Sequence, residues 1–236
     1  MLTLFFVDDL PRQIGQIYEF DNEDANHAVR VLRVKAGDTF MLSDGQGSWS
    51  QVKAFAVKKK SLEVEVIASG FQEVLPTTIT VVQALPKGDR AKEAIELLTE
   101  AGVDRILPWQ AARSIGKASD KFSITAREAS KQSRRLRIPE VTDTVTTQQV
   151  CEAINQSDLA VVFHESSTIK LSDAITSHNV ANLLVIIGPE GGITPTELDQ
   201  FVEAGAKVAL MGRPILRSAH AGIAAVSAIS ALLKVW

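Results

Sequence analysis

A single cysteine, Cys151, stands in the 236 residues, which excludes an internal disulfide and a cysteine-built metal cluster. No run comes near the roughly 18 consecutive apolar residues of a membrane span, although 45% of the chain is apolar and can fill a substantial core. An overall excess of positive charge is missing too. The net charge is -3, so any affinity for nucleic acid must rest on local clusters of cations. The opening MLTLFFVDDLPRQ has no basic leader and reaches Asp8-Asp9 after one short apolar run. A signal peptide is therefore not expected, and a cytoplasmic location is the simple expectation.

Several catalytic signatures are absent as well. No glycine-rich turn is followed by Lys-Ser or Lys-Thr, so a phosphate-binding loop of the nucleotide hydrolases is excluded. The dinucleotide fingerprint G-x-G-x-x-G follows no strand. A G-x-S-x-G elbow is missing, which leaves a Ser/His/Asp hydrolase without support. The four histidines, His27, His164, His178 and His220, are scattered without i, i+4 spacing, and His164-Glu165 begins no HExxH helix. No metal site is expected.

The length fits one long domain or two unequal ones. Residues 1–70 read as β-rich: apolar and polar residues alternate in Phe40–Leu42, Val52–Val57 and Leu62–Ile67. Asp44-Gly45-Gln46-Gly47 lies between strand-like segments and predicts a hairpin rather than a ligand loop. Lys58-Lys59-Lys60 makes the next reversal and serves either solubility or a phosphate contact. Asn22–Arg33 predicts a capped helix running into an extended segment, with Ala28, Val31 and Leu32 as an apolar stripe and His27, Arg30 and Arg33 projecting elsewhere. Such a small barrel suits an RNA-binding accessory domain and a purely structural module equally. Ser69–Pro76 punctuates the chain and sets the expected domains at 1–72 and 73–236.

Beyond that boundary, strands and helices alternate: strands at Thr78–Ala84, Arg105–Trp109 and Leu159–Phe163, helices at Gly88–Gly102, Ser123–Arg137 and Gln148–Gln156. The pattern implies an α/β domain, a mostly parallel sheet covered by helices. Five cations against one acid fall between Arg127 and Arg137; such a run is either a solvated helix face or a contact for RNA.

Leu183–Gly222 organises the rest. Leu183–Ile187 is a short unbroken apolar run, suited to a strand buried on both faces. Gly188-Pro189-Glu190-Gly191-Gly192 breaks it, and a helix starts at once, with Thr194 as cap, Pro195 in the first turn and Glu197 completing a capping box. Ile193 and Leu198 have the spacing of a hydrophobic staple. The chain returns through Lys207–Leu210 into a second loop, Met211–Leu216, ahead of the last helix. Two glycine-bearing loops leaving neighbouring strand ends would wall one pocket. Their missing side chains would let a flat ligand approach the backbone.

These segments, taken in order, carry a resemblance. Leu85-Pro86-Lys87-Gly88-Asp89-Arg90, Glu100-Ala101-Gly102-Val103, Arg113-Ser114, Gln132-Ser133-Arg134-Arg135 with Pro139-Glu140, IIGPEGG, and Met211-Gly212 through Ile215-Leu216-Arg217 resemble the RsmE family. That family comprises small-subunit (16S) ribosomal RNA uridine-N3 methyltransferases of the knotted SPOUT class. His27, Arg30-Val31-Leu32-Arg33 and Gly37-Asp38 resemble its PUA-like domain, so the likeness spans essentially the whole chain. Three positions depart from the family pattern. Ala219-His220 stands where a Glu-Thr pair is common, Pro214 where many members have arginine, and Arg134 where a glycine precedes the arginine.

The resemblance implies a trefoil-knotted α/β domain that binds S-adenosyl-L-methionine, preceded by a PUA-like β-barrel, in a homodimer acting on small-subunit ribosomal RNA or the assembled subunit. It implies cofactor walls at Phe163, His164 and Glu165, at Gly188, Pro189, Glu190 and Gly191, and at Met211, Gly212, Ile215 and Leu216. Arg217, with Arg135 from the second subunit, would position the substrate or stabilise its charge, and Glu190 is either a base or a loop-bonding group. The RNA surface would comprise Arg30, Arg33, Lys58, Lys59, Lys60, Lys87, Arg90, Arg113, Arg134, Arg135 and Arg137. Gly222, Ala225 and Ala228 would let the last helix pack closely. Two other functions stay open: a catalytically silent RNA-binding or ribosome-assembly protein, and a SPOUT enzyme modifying another RNA atom such as a ribose hydroxyl.

Overall fold

The computed structural model describes residues 2–117, 119–175 and 179–235, so His178 lies outside the described residues. The chain forms two compact units: Met1–Val74 together with Ser130–Ile138, and Leu75–Ala129 together with Pro139–Trp236.

The first unit contains β1 (Leu4–Phe6), β2 (Ile17–Phe20), α1 (Glu23–Arg30), β3 (Thr39–Ser43), β4 (Ser48–Val57) and β5 (Leu62–Phe71). They form one sheet in the order β1-β3-β4-β5-β2, antiparallel except for the β1–β3 pair. Register shifts at Gln51/Val52 and Ala54/Ala56 interrupt the long β4–β5 ladder; such bulges bend a strand and strengthen its twist. The core of this unit collects Phe5, Phe20 and Phe40, whose ring centroids lie 5.4–6.0 Å apart, with Leu42, Val52, Leu62, Val64 and Val66. Helix α1 is capped by Asn22, whose Oδ1 accepts from Ala25 N at 3.1 Å while its Nδ2 donates to Phe6 O at 3.2 Å. One side chain thus starts the helix and ties it to the first strand.

The buried face of α1 is Asp24, Ala25 and Ala28; Val31 and Leu32, expected inside, are 63% and 45% exposed. The helix ends at Arg30, so those two residues fall off its stripe into the turn that leads to Arg33 at φ 56°. A second expectation fails at Ser69–Phe71, placed in the linker but forming the end of β5.

The second unit contains β6 (Thr78–Ala84), α2 (Arg90–Glu100), β7 (Arg105–Trp109), α3 (Phe122–Ser133, of which the last turn from Ser130 belongs to the first unit), β8 (Glu140–Val141), α4 (Thr147–Asn155), β9 (Leu159–Phe163), α5 (Leu171–Ala174), β10 (Asn182–Ile187), α6 (Pro195–Glu203), β11 (Lys207–Ala209) and α7 (Ser218–Leu233). Its sheet runs β11-β9-β10-β6-β7-β8, and every pair is parallel. Alternation along the strands divides the core. Val82, Ala84, Leu184, Ile186, Ala160 and Val162 face α4 and α6, where Trp109 meets Phe201 edge-on at 5.2 Å. Residues of opposite parity, including Gln83, face the pair α2 and α7.

Helix α3 is shorter than the Ser123–Arg137 expectation. It stops at Ser133, with Arg134 left-handed at φ 58°, Arg135 N donating to Ser130 O and Arg134 N to Lys131 O. This is a Schellman ending made without glycine. The segment beyond packs with the first unit: Gly47 N donates to Leu136 O at 3.0 Å and Ile138 N to Gly45 O at 2.9 Å. Gly47, at φ 105°, holds a backbone conformation that side chains rarely adopt, and a Cβ there would meet the Arg137 guanidinium. The Asp44–Gly47 hairpin is therefore also a docking point for the returning chain.

Candidate active site

Parallel strands put all their C-terminal ends on one edge of the sheet, where α/β folds place ligands. Three of those ends, from β9, β10 and β11, converge on a cavity of about 460 Å3. The expectation that the two glycine loops leave neighbouring strands fails, because β9 lies between β10 and β11. The end of β9 fills the gap between the loops. Phe163, His164 and Glu165 supply the middle wall, Gly188, Pro189, Glu190 and Gly191 one side, and Met211, Gly212, Ile215 and Leu216 the other. Arg217 also lines the cavity, at the N-cap of α7.

The loop after β10 is anchored from several directions. Ser218 Oγ donates to Gly188 O at 2.7 Å, and Arg113 Nη1 donates to Gly191 O at 2.9 Å. Glu190 Oε1 accepts from Lys87 N at 3.2 Å, and Gly192 N closes a turn onto Pro189 O at 2.9 Å. Helix α6 starts as its sequence dictates, with the reciprocal Thr194–Glu197 capping box in place and Ile193 and Leu198 in one apolar cluster. Glu197 has a further use: its Oε1 accepts from Ala112 N at 2.8 Å, tying the segment that carries Arg113 to the same helix start.

Gly188 is glycine for an internal reason. A Cβ there would lie 2.7 Å from Ile193 Cγ1, so the loop folds tightly over its own staple residue. At Gly191 a Cβ would lie 3.1 Å from the Cβ of Arg113. The expectation that bare backbone leaves space for a ligand fits Gly212 better, where only Pro214 comes as near as 4.0 Å.

Within its own unit each expected cation can be placed. Arg30 and Arg33 are exposed at and after the end of α1. Lys58 is held between Glu19 and Glu63 at 2.9 and 2.8 Å, and hydrogen bonding to Glu63 and Glu19 pushes its ammonium above the ordinary lysine range. Lys59 and Lys60 are exposed in the same turn. Arg137 turns inward: its guanidinium donates to Gln72 O at 2.6 Å and lies 5.0 Å from the Phe71 ring centre. Arg134 and the half-buried Arg135 belong to the returning segment, and Arg135 is not among the residues lining the cavity. Lys87, Arg90 and Arg113 are exposed in the second unit. Lys87 and Arg113 flank the glycine loop through their bonds to Glu190 and Gly191.

Two residues at the site lie outside the sequence expectations. Ser218 and Gln83 form a buried relay to the loop, with Gln83 Nε2 donating to Ser218 Oγ at 3.0 Å. A lone glutamine inside a β-branched strand is the signal that could have found it, since a buried amide needs partners. The departures at Ala219 and His220 fall outside the lining. Ala219 is buried, and His220 Nε2 lies 3.0 Å from Glu93 Oε1 on α2. Pro214 does line the cavity.

The chain matches an RNA methyltransferase domain over residues 73–230 and an RNA methyltransferase PUA domain over residues 20–67. It is 35% identical to ribosomal RNA small subunit methyltransferase E of Mycobacterium tuberculosis, across 99% of this chain and 93% of that one. Identity to the protein of the same description from Bacillus subtilis is 31%, across 96% and 95%. Among solved structures, ribosomal RNA small subunit methyltransferase E from Neisseria gonorrhoeae, bound to S-adenosyl methionine, superposes with a TM-score of 0.86 at 26% identity, covering 98% of both chains. With both domain types matched in order and its relatives matched nearly end to end, the chain belongs to the ribosomal RNA small subunit methyltransferase E family.

Proposed function

We propose that this protein transfers a methyl group from S-adenosyl-L-methionine to N3 of a uridine in small-subunit ribosomal RNA, acting on the assembled subunit. The cavity at the ends of β9, β10 and β11 is the observation that carries this reading. Its volume lies within the roughly 300–1,000 Å3 range of small-molecule sites. Apolar walls from Ile187, Ile193, Leu210 and Leu216 alternate with loop backbone, a lining suited to an adenine ring and the aliphatic part of a methionine chain. The donor, when bound, supplies an electrophilic methyl on a sulfonium. The residues of all three strand ends would hold it. The same reading includes the trefoil knot of the class and a homodimer.

Chemistry at uracil N3 demands loss of a proton. Its pKa of about 9–10, near that of a phenol, leaves only a small anionic fraction at neutral pH. A nitrogen–carbon bond forms at N3 as the sulfur–methyl bond breaks, and the N3 proton passes to solvent or a base. Arg217 cannot be that base, because a guanidinium stays protonated. Its charge at the cavity wall supports a role in stabilising the uracil anion as it forms. Arg135, reaching the site from a second subunit, would add a second cation. Glu190 is engaged by Lys87 N, which favours holding the loop over proton abstraction. A base inside a helix must be flipped outward to reach such a cavity.

The RNA surface is assigned to Arg30, Arg33, Lys59, Lys60, Lys87, Arg90, Arg113 and Arg134, all exposed. Lys58, Arg135 and Arg137 remain in that assignment with a smaller share expected of Lys58 and Arg137, whose charged groups have partners within the protein. Small subunits and deproteinised RNA incubated with methyl-labelled donor test the reading. Label at base N3 in assembled subunits supports it, whereas subunit binding without label points to a silent assembly protein and a labelled ribose to a different SPOUT activity.

A further inference from the structure

We infer that Ser218 and Gln83 act as positioning residues for the methyl-donor loop, with Gln83 working through the hydroxyl of Ser218; this rests on the donor site proposed above. The peptide between Gly188 and Pro189 lies at the cavity wall. Pro189 has no N–H, so that peptide plane can be anchored by hydrogen bonding only through the Gly188 carbonyl. Ser218 Oγ, 6% exposed as a residue, supplies the bond at 2.7 Å.

A serine hydroxyl rotates and can donate in several directions. Gln83 removes that freedom. Its Nε2 carries two N–H groups, one donated to Ala84 O at 2.9 Å and the other to Ser218 Oγ at 3.0 Å. With Oγ occupied as an acceptor, the serine proton is directed at Gly188 O. The amide orientation is determined as well, since Ala84 O can only accept. This leaves Gln83 Oε1 buried with no hydrogen-bond partner among the described residues. Gly222 of α7 makes the space: a Cβ there would lie 3.3 Å from Gln83 Oε1 and 2.7 Å from Leu98 Cδ2. An orphaned buried acceptor is costly, so apolar packing alone does not account for a glutamine here.

Releasing the Gly188 carbonyl would let the loop sample other orientations, and the donor would then bear the cost of ordering it. Isothermal titration with S-adenosylmethionine, run beside steady-state kinetics, tests this. Ser218→Ala should weaken donor binding about tenfold, because it removes one hydrogen bond and strands the Gln83 donor. The KM for the donor should rise in step, with the KM for small subunits unmoved. Ser218→Thr should restore binding to within about twofold, since the hydroxyl is kept. Gln83→Met should weaken binding about threefold alone and add nothing in the Ser218→Ala background, as expected of a residue acting through another.

Folding damage alone would lower the active fraction and kcat without moving either constant. Should Ser218→Ala fail to fold, Gln83→Met and Ser218→Thr carry the comparison. Unchanged donor affinity in the variants, with the native protein binding normally, overturns the inference and spares the proposed function. A native protein that binds no donor overturns both.

Discussion

Arg217 and Glu190 line the same cavity, and their surroundings set them apart. Arg217 is exposed at the N-cap of α7 and lines the cavity, so its guanidinium can meet a substrate. Replacing it with alanine should cost about 10²–10³ in kcat, the usual consequence of removing one stabiliser of developing negative charge. Donor affinity, read by titration calorimetry, should change far less. For Glu190 the contrary outcome is expected. Its Oε1 accepts the Lys87 amide, a bond that glutamine can also accept. Glu190→Gln should keep kcat within about threefold and leave the pH–rate profile in place, whereas loss of a general base costs about 10²–10⁴.

At the scale of elements, the hairpin Asp44–Gly47 carries a pH-dependent contribution. Burial pushes the Asp44 carboxyl up, but the N–H groups of Gln46 and Ser48, the Ser48 hydroxyl and the Arg12 guanidinium outweigh it and hold the group below the ordinary 3.8. A carboxyl depressed on folding binds more protons in the unfolded chain, so its stabilisation is complete above pH 3.8 and is lost as pH falls through the depressed value. Thermal melts between pH 5 and 2.5 should fall more steeply for the native protein than for Asp44→Asn.

Much of this level was legible in the residues. The capping box Thr194–Glu197, the strands Thr78–Ala84, Arg105–Trp109 and Leu159–Phe163, and the glycine hairpin follow from local chemistry and occur as read. What escaped was decided by distant contacts. Helix α3 ends at Ser133 because Arg134 adopts a left-handed turn, a conformation whose usual signal, glycine, is absent. The insertion of β9 between β10 and β11 is pairing information that no strand carries in its own sequence. Two-residue β8 and four-residue α5 are too short for periodicity to reveal. At Gly188 the sequence predicts a chain break beside open space, whereas Ile193 occupies the space beside it.

For the whole molecule, a net charge of -3 means that RNA affinity must come from placed cations rather than from the sum. The turn after β4 offers an internal control. Lys58 is neutralised by Glu19 and Glu63 while Lys60 is exposed. Lys60→Ala should weaken small-subunit binding and reduce the slope of log K against log salt by about 1, and Lys58→Ala should alter the slope by less. Equilibrium sedimentation should find a dimer; a monomer at working concentration would remove the role given to Arg135. Among the described residues, no helix is long and apolar enough to cross a membrane. The central claim is that the ends of β9, β10 and β11 form one receptacle for a methyl donor. A crystal soaked in S-adenosylmethionine tests it most directly. Density for the donor between Gly188–Gly191 and Met211–Leu216, against Phe163–Glu165, is the predicted result; a cavity without donor, or donor bound elsewhere on the chain, would contradict it.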